Sequence, residues 1–271
     1  MILFPNCKIN LGLNIISKRP DGYHDLETVF YPVPLNDALE IIPATDGVFE
    51  FHTSGLKIPG DEGQNLCIKA FRLLQAEYQL PEVKIHLHKV IPMGAGLGGG
   101  SSDGTFTLRL LNELFEIELS NDILRDYASR LGSDCPFFIE KQPVFASGRG
   151  YRFAPCNIDL KGYFLVIVKS DIHVATADAY AMISPEQPIN QLSMVISQPI
   201  ESWKDELHND FEKPVFAKYP AIGEIRQKLY DAGAVYAAMS GSGSAVYGLF
   251  TDIPSLENLF PGCFSWISPR F

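Results

Sequence analysis

Apolar and polar positions alternate cleanly near the start of the chain. In Cys7–Ile16, Ile9, Leu11, Leu13 and Ile15 fall on one side of an extended segment, and Lys8, Asn10, Gly12 and Asn14 on the other, which predicts a strand. Val83–Lys89 repeats the period of two with Val83, Ile85 and Leu87. Leu108, Leu111 and Phe115 then recur at helical spacing beside Leu110 and Leu114. Further strands are expected at Leu26–Val33, Ala38–Ile42, Val48–His52, Tyr163–Lys169, Val235–Met239, Ala245–Phe250 and Cys263–Ile267. Helices are expected at Asn65–Leu74, Ser120–Leu131, around His173–Tyr180, at Ala221–Ala232 and at Pro254–Leu259. Strands and helices mix without strict alternation, which points to α+β rather than a doubly wound sheet.

Between the strand ending at Lys89 and the helix containing Leu108 lies the stretch around which the chain is organised: Pro92, Met93, Gly94, Ala95, Gly96, Leu97, Gly98, Gly99, Gly100, Ser101, Ser102, Asp103 and Gly104. Glycines let successive N–H groups turn inward, and a helix N-terminus adds partial positive charge, so strand, glycine loop and helix start make a phosphate cradle. Ser101 or Ser102 can cap the helix, and Asp103 suits its first turn. The loop has no lysine, which excludes a Walker A loop. Gly94, Gly96 and Gly99 match G-x-G-x-x-G, but the helix is followed by a second helical pattern, not by the strand with a terminal acid that a dinucleotide fold requires. Neither H-R-D nor D-F-G of the protein kinases occurs.

Composition narrows the partners. The net charge of −10 argues against nucleic acid and anionic membranes, so a bound polyphosphate must be held by local features. No run of about 18 apolar residues and no basic-then-apolar leader is seen, so a soluble cytoplasmic protein is expected. The five cysteines lie far apart without C-x-x-C spacing and read as free buried thiols.

The glycine stretch resembles the central motif of the GHMP kinases, the galactokinase, homoserine, mevalonate and phosphomevalonate kinase superfamily. Lys8-Ile-Asn-Leu11 followed by Lys18-Arg-Pro-Asp-Gly-Tyr-His24 is similar to the N-terminal signature of one branch. That branch phosphorylates the 2-hydroxyl of a cytidine-diphosphate-linked methylerythritol in the non-mevalonate route to isoprenoid precursors. Gly132, Asp134 and Pro136 match the superfamily's Gly-x-Asp-x-Pro, and Ser240–Ser244 resembles its third motif. The resemblance implies an N-terminal ATP-binding domain over residues 1–152, similar to ribosomal protein S5 domain 2, and a ferredoxin-like, substrate-contacting domain over 153–271. Two departures stand out. Gly104 occupies a position where alanine is usual, which should keep close packing but weaken the helix by roughly 1 kcal/mol. Tyr151 falls where a charged residue, often glutamate, is expected.

The resemblance also distributes roles. Asp134 accepts the proton of the substrate hydroxyl, and Lys8 holds it ionised and neutralises developing charge. Residues 92–102 hold the ATP phosphates, with Asn65, Leu66 and Lys89 at the adenine end. Asn10, Tyr23, His24, Thr176 and Tyr180 meet the cytidine substrate, two aromatic rings sandwiching the base. Magnesium accompanies ATP, with its protein ligands unassigned, and no protein partner is evident. Residue types alone also allow plainer readings. Lys8 and Asn10 could lie on a solvated strand face, and Tyr23 and His24 could plug a hairpin after Pro-Asp-Gly. Asn65 could cap a helix, Asp134 could form a turn, and Ser240–Ser244 could be a glycine turn. Asn209–Glu212 is assigned to packing. A nicotinamide-dependent oxidoreductase, a non-catalytic nucleotide sensor and another small-alcohol kinase are the rival functions.

Overall fold

The computed structural model describes residues 1–140, 142–185, 188 and 190–271. In chain order the strands are β1 (Ile2–Leu3), β2 (Asn6–Lys18), β3 (His24–Asn36), β4 (Ala38–Pro43), β5 (Glu50–Gly55), β6 (Val83–Lys89), β7 (Val144–Gly148), β8 (Arg152–Pro155), β9 (Phe164–Lys169), β10 (Tyr236–Met239), β11 (Val246–Phe250) and β12 (Phe264–Ile267). The α-helices are α1 (Leu66–Tyr78), α2 (Gly99–Leu114), α3 (Asn121–Leu131), α4 (Thr176–Ala181), α5 (Leu192–Val195), α6 (Trp203–Glu206), α7 (Glu212–Lys218) and α8 (Pro220–Asp231).

Two compact units emerge. The first comprises 1–8, 32–93 and 98–141, and the second 9–31, 94–97 and 142–271. A single cut near residue 152 does not describe this packing, because the changeovers fall inside β2, β3 and the glycine loop. Unit 1 is built on a sheet of order β1-β4-β6-β5, with β5 parallel and β4 antiparallel to β6. Helices α1, α2 and α3 pack together beside it, with Phe71, Leu74, Leu108 and Leu111 fully buried. Unit 2 is built on an antiparallel sheet of order β10-β11-β9-β12, and α8 packs on β10 and β11 through Ile222, Ile225 and Leu229. The third sheet, of order β2-β3-β7-β8, has most of its length in unit 2.

Strand β7 pairs antiparallel with β3, and the left-handed glycines Gly148 and Gly150 turn the chain straight into β8. Two local expectations are corrected. Residues 254–256 are irregular and 257–259 form a turn rather than a helix, with Asn258 at a left-handed φ of 57°. Strand β5 starts at Glu50 rather than Val48, because the Asp46 carboxylate accepts the Val48 N–H (3.1 Å) and keeps that residue in a turn.

Candidate active site

In unit 1 the glycine stretch becomes the start of α2. Neither serine caps the helix: the N-cap is Gly98 in the left-handed conformation (φ 69°), with no side-chain cap, and Ser101 and Ser102 lie inside the first turn. A serine identity invites the cap reading, but close packing pulls the helix start back onto the glycines. A Cβ on Gly98 would stand 2.9 Å from the Phe138 ring and 3.2 Å from Lys8 Cγ, and one on Gly99 2.8 Å from Ile91. Only glycine fits there. Among the described residues the N–H groups of Gly98–Ser101 meet no helical or side-chain acceptor, which is the arrangement an anion needs, while the Ser102 N–H already donates to the Gly98 carbonyl (2.9 Å).

Lys8 lies against this helix start. It is only 3% exposed, so the solvated-face reading of β2 does not hold. Its Nζ stands 3.6 Å from Asp134 Oδ2. Burial pushes the Lys8 pKa below the usual lysine value, and the nearby Asp134 carboxylate opposes that shift. Asp134 precedes the 3₁₀ turn Cys135–Ile139, makes no cap bond with its side chain, and keeps 38% of that side chain exposed. The turn is tied to α2 by Thr105, whose hydroxyl donates to the Cys135 carbonyl (2.8 Å). A buried ammonium, an accessible carboxylate and a helix N-terminus are thereby brought together.

The residues expected at the adenine end turn out differently. Asn65 caps α1, accepting the Cys67 N–H at 2.9 Å. Leu66 packs on α2, its Cβ 2.8 Å from where a Gly104 Cβ would stand. Lys89 is buried, and its ammonium hydrogen-bonds Asp37 and, at 2.7 Å, Asp103. It is therefore committed to two carboxylates and not presented to a nucleotide. Burial works against its charge, but Asp103 and Asp37 outweigh that and hold its pKa above the usual value. Asp103 accordingly does not serve the first turn of α2 as expected.

In unit 2, Gly94 and Gly96 of the loop take left-handed φ values of 58° and 74°. The Ser240 hydroxyl donates to the Gly96 carbonyl (2.9 Å), and a Cβ on Gly96 would fall 1.9 Å from the Ser240 carbonyl oxygen. Ser240–Ser244 is thus a buttress for the loop rather than a plain turn. It is held in turn by buried Asn209, which donates to the Met239 and Gly241 carbonyls at 2.8 Å each, in keeping with the packing role assigned to Asn209–Glu212. Asn10 is also buried, donating to Thr28 Oγ1 (2.9 Å). Thr176 begins α4, and its hydroxyl lies 3.2 Å from that of Ser242. His24 and Tyr180 stack on each other, centroids 4.9 Å apart at 22°, with Phe211 edge-on to Tyr180. They form one platform and leave no slot for a base between them. Burial, then Lys18, lowers the His24 pKa. Tyr23 is 53% exposed, with the Arg149 guanidinium 3.5 Å over its ring. The sequence does not single out Asp37 or Arg149, because their roles depend on contacts distant in sequence.

Comparison with known proteins matches residues 65–142 to the GHMP kinases N terminal domain and residues 195–259 to the GHMP kinases C terminal domain. The chain belongs to the GHMP kinase family. This GHMP kinase is 56% identical over 253 residues to a 4-diphosphocytidyl-2-C-methyl-D-erythritol kinase of Bacteroides fragilis, covering 93% of this chain and 92% of that one. It is 49% identical to the Parabacteroides distasonis protein of the same name, with 98% of both covered. It superposes on a crystal structure of a 4-(cytidine 5'-diphospho)-2C-methyl-D-erythritol kinase with a TM-score of 0.83, at 31% identity over 99% of this chain and 98% of that one. The Methanococcus jannaschii mevalonate kinase, at 14% identity and TM-score 0.72, shares the fold. The family makes this chain an ATP-dependent small-molecule kinase. Among the described residues no group of three or more His, Cys, Asp or Glu side chains could hold a metal ion. No described helix is long and apolar enough to cross a membrane.

Proposed function

We propose that this kinase transfers the γ-phosphoryl group of ATP to the 2-hydroxyl of 4-diphosphocytidyl-2-C-methyl-D-erythritol, a step of the non-mevalonate isoprenoid pathway. The observation that carries the chemistry is the pair Lys8–Asp134, 3.6 Å apart beside the uncapped start of α2. High identity to enzymes named for that substrate supports the acceptor.

Phosphoryl transfer is mainly positioning and electrostatics, because the moving group carries charge on three oxygens. The N–H groups at Gly98–Ser101 hold the ATP phosphates. Asp134, the more exposed partner of the pair, accepts the hydroxyl proton. Lys8, desolvated and fixed against Gly98, offsets the charge that develops as that proton leaves. Magnesium accompanying ATP would neutralise charge on its phosphates, with no residue of this chain assigned to hold it. In unit 2 the His24–Tyr180 platform takes the cytosine on an open aromatic face, Tyr23 flanks it, and Asn10 and Thr176 serve the rest of the substrate.

The test is purified protein with ATP, magnesium and a panel of alcohols: the cytidine-linked methylerythritol, its uridine analogue, homoserine and mevalonate. Phosphorus NMR of the products should show a new phosphomonoester on the cytidine compound alone. A higher kcat/KM on homoserine or mevalonate would overturn the substrate assignment while leaving the kinase chemistry in place.

A further inference from the structure

Beneath the first turns of α2 lies a charge cluster that the reaction does not use directly. Lys89 at the end of β6 sits between Asp37, which joins β3 to β4, and Asp103 of α2. All three are buried: Lys89 and Asp37 are 1% exposed and Asp103 3%. Asp37 also accepts the backbone N–H groups of Val90 (2.5 Å) and Ile91 (2.8 Å), the two residues that lead into the glycine stretch. Gly99 and Asp103 are four residues apart and so share one face of α2. Lys89 Nζ lies 3.0 Å from where a Gly99 Cβ would be, which puts the cluster directly against the first helical residue.

The cluster holds one cation and two carboxyl groups. With both carboxylates ionised it carries a net charge of −1 in a dry setting; with one proton retained it is neutral. Asp103 is the group that can keep the proton. One of its oxygens faces Lys89, while the other, Oδ1, is buried with no hydrogen-bond partner among the described residues. Burial pushes Asp103 up to about 7, Lys89 counteracts this, and Asp37 adds to it. The thiols beside the cluster are Cys7 on β2, pushed up to about 12 by burial, and Cys67 on α1, also raised by burial; Lys8, lowered by burial and facing Asp134, lies against the same helix start and is common to the wild-type protein and Asp103→Asn. Both thiols stay neutral through the physiological range.

We propose that Asp103, together with Lys89 and Asp37, is a positioning residue for the nucleotide: it fixes the start of α2 and sets the charge beneath it, so that binding of ATP phosphates is linked to protonation of the cluster. The proposal rests on the reading that Gly98–Ser101 hold those phosphates. A negative charge under the helix start opposes the anion, and a neutral cluster does not. By linkage, ATP binding near neutral pH draws a proton onto the cluster, and ATP affinity falls as pH rises and the second carboxylate ionises.

The experiment measures ATP affinity calorimetrically without acceptor, from pH 6 to 9, for the wild-type protein and Asp103→Asn, with proton uptake read from buffers of different ionisation enthalpy. The wild-type Kd should rise about tenfold more across this range than that of Asp103→Asn, in which only the titration of the nucleotide and of other groups remains. In steady state the substitution should act on the ATP KM and its pH dependence rather than on kcat. Identical pH dependence in the two proteins overturns the proposal, even if the variant is less stable. If Asp103→Asn does not fold, Asp103→Ser takes its place. The wild type also supplies an independent check at pH 7.5, where a terminal phosphate of pKa about 6 is already ionised: absence of proton uptake there overturns the proposal. Absence of ATP binding at every pH overturns the kinase reading itself.

Discussion

Lys8→Met separates catalysis from stability most sharply. Methionine keeps most of the aliphatic stem that packs against Gly98 and removes only the charge. Because Asp134 takes up the proton, what counts is the attraction of the ammonium for the charge developing on the hydroxyl oxygen; at a separation like the 3.6 Å to Asp134, an effective dielectric constant of about 20 gives roughly 4–5 kcal/mol per unit charge. Asp134 is 38% exposed, so solvent screening reduces this, and about 2–4 kcal/mol is the range to expect in the transition state. That corresponds to a loss in kcat of roughly 30- to 1000-fold.

Stability should move the other way or not at all. Burial outweighs the attraction of Asp134 and lowers the Lys8 pKa, so the charged lysine is a net burden on the fold. The sign is fixed by proton counting. Between the lowered folded pKa and the ordinary lysine value of about 10.4, the unfolded chain binds a proton that the folded chain lacks, so stability rises with pH across that window. Lys8→Met should lack this alkaline rise and equal or exceed the wild type in denaturant stability at pH 7. Activity is read with an ADP-coupled assay, and stability by urea unfolding at pH 7 and 9.5. A folded variant with wild-type specific activity, or one whose stability collapses while its activity per folded molecule is kept, would refute the assignment.

Asp134→Asn should lower turnover by about 10²–10⁴-fold while ATP still binds, because it removes the base and keeps the size; near-normal turnover in calorimetrically ATP-competent protein would remove Asp134 from the mechanism. Gly104→Ala should destabilise by roughly 1–3 kcal/mol, measured by thermal melting, because the new Cβ would stand 2.8 Å from Leu66 Cβ and 3.3 Å from its carbonyl oxygen. The gain of about 1 kcal/mol in helix propensity does not cover that, and a raised melting temperature would contradict the packing. His24→Ala and Tyr180→Ala should raise the KM for the cytidine substrate, with the ATP KM little changed. Stacking on an aromatic platform is worth about 1–3 kcal/mol per base. An unaltered substrate KM in Tyr180→Ala would remove the platform from the base site.

Elements set by local pattern were legible in the sequence. Strand β6 runs over Val83–Lys89 as its alternation requires, and Asn65 and Ser120 cap α1 and α3 as their identities suggest. What escaped was decided by partners far along the chain. Lys89 looks like any lysine at the end of a strand; only folding brings Asp37 and Asp103, 52 and 14 residues away, onto its ammonium. Period-two alternation on β2 separates two faces but cannot say that both are covered, and Lys8 and Asn10 are buried all the same. The serines after the glycine run carry a cap signal that packing at Gly98 and Gly99 overrides.

An acidic chain that binds a polyphosphate must find its positive potential locally, and the two lysines nearest the helix start are both matched by carboxylates. Lys8 faces Asp134, and Lys89 faces Asp37 and Asp103. Neither leaves a surplus of charge, so the hold on ATP phosphates falls to the N–H groups and dipole at the start of α2. Dipoles act over a short range and depend on aim, which explains why this stretch is packed so tightly. Extra side-chain atoms at Gly98 or Gly99 would strike Phe138, Lys8, Ile91 or Lys89 within 3.3 Å. The glycines are thus required twice, once to expose the amides and once to let buried charges approach from beneath. A lysine introduced at Gly100, where the nearest atom to a new Cβ is 4.0 Å away, would add the charge that the loop lacks without breaking that packing. Such a variant should bind ATP more tightly at low salt and lose the advantage at high salt; a salt-independent gain would mean that something other than charge had changed.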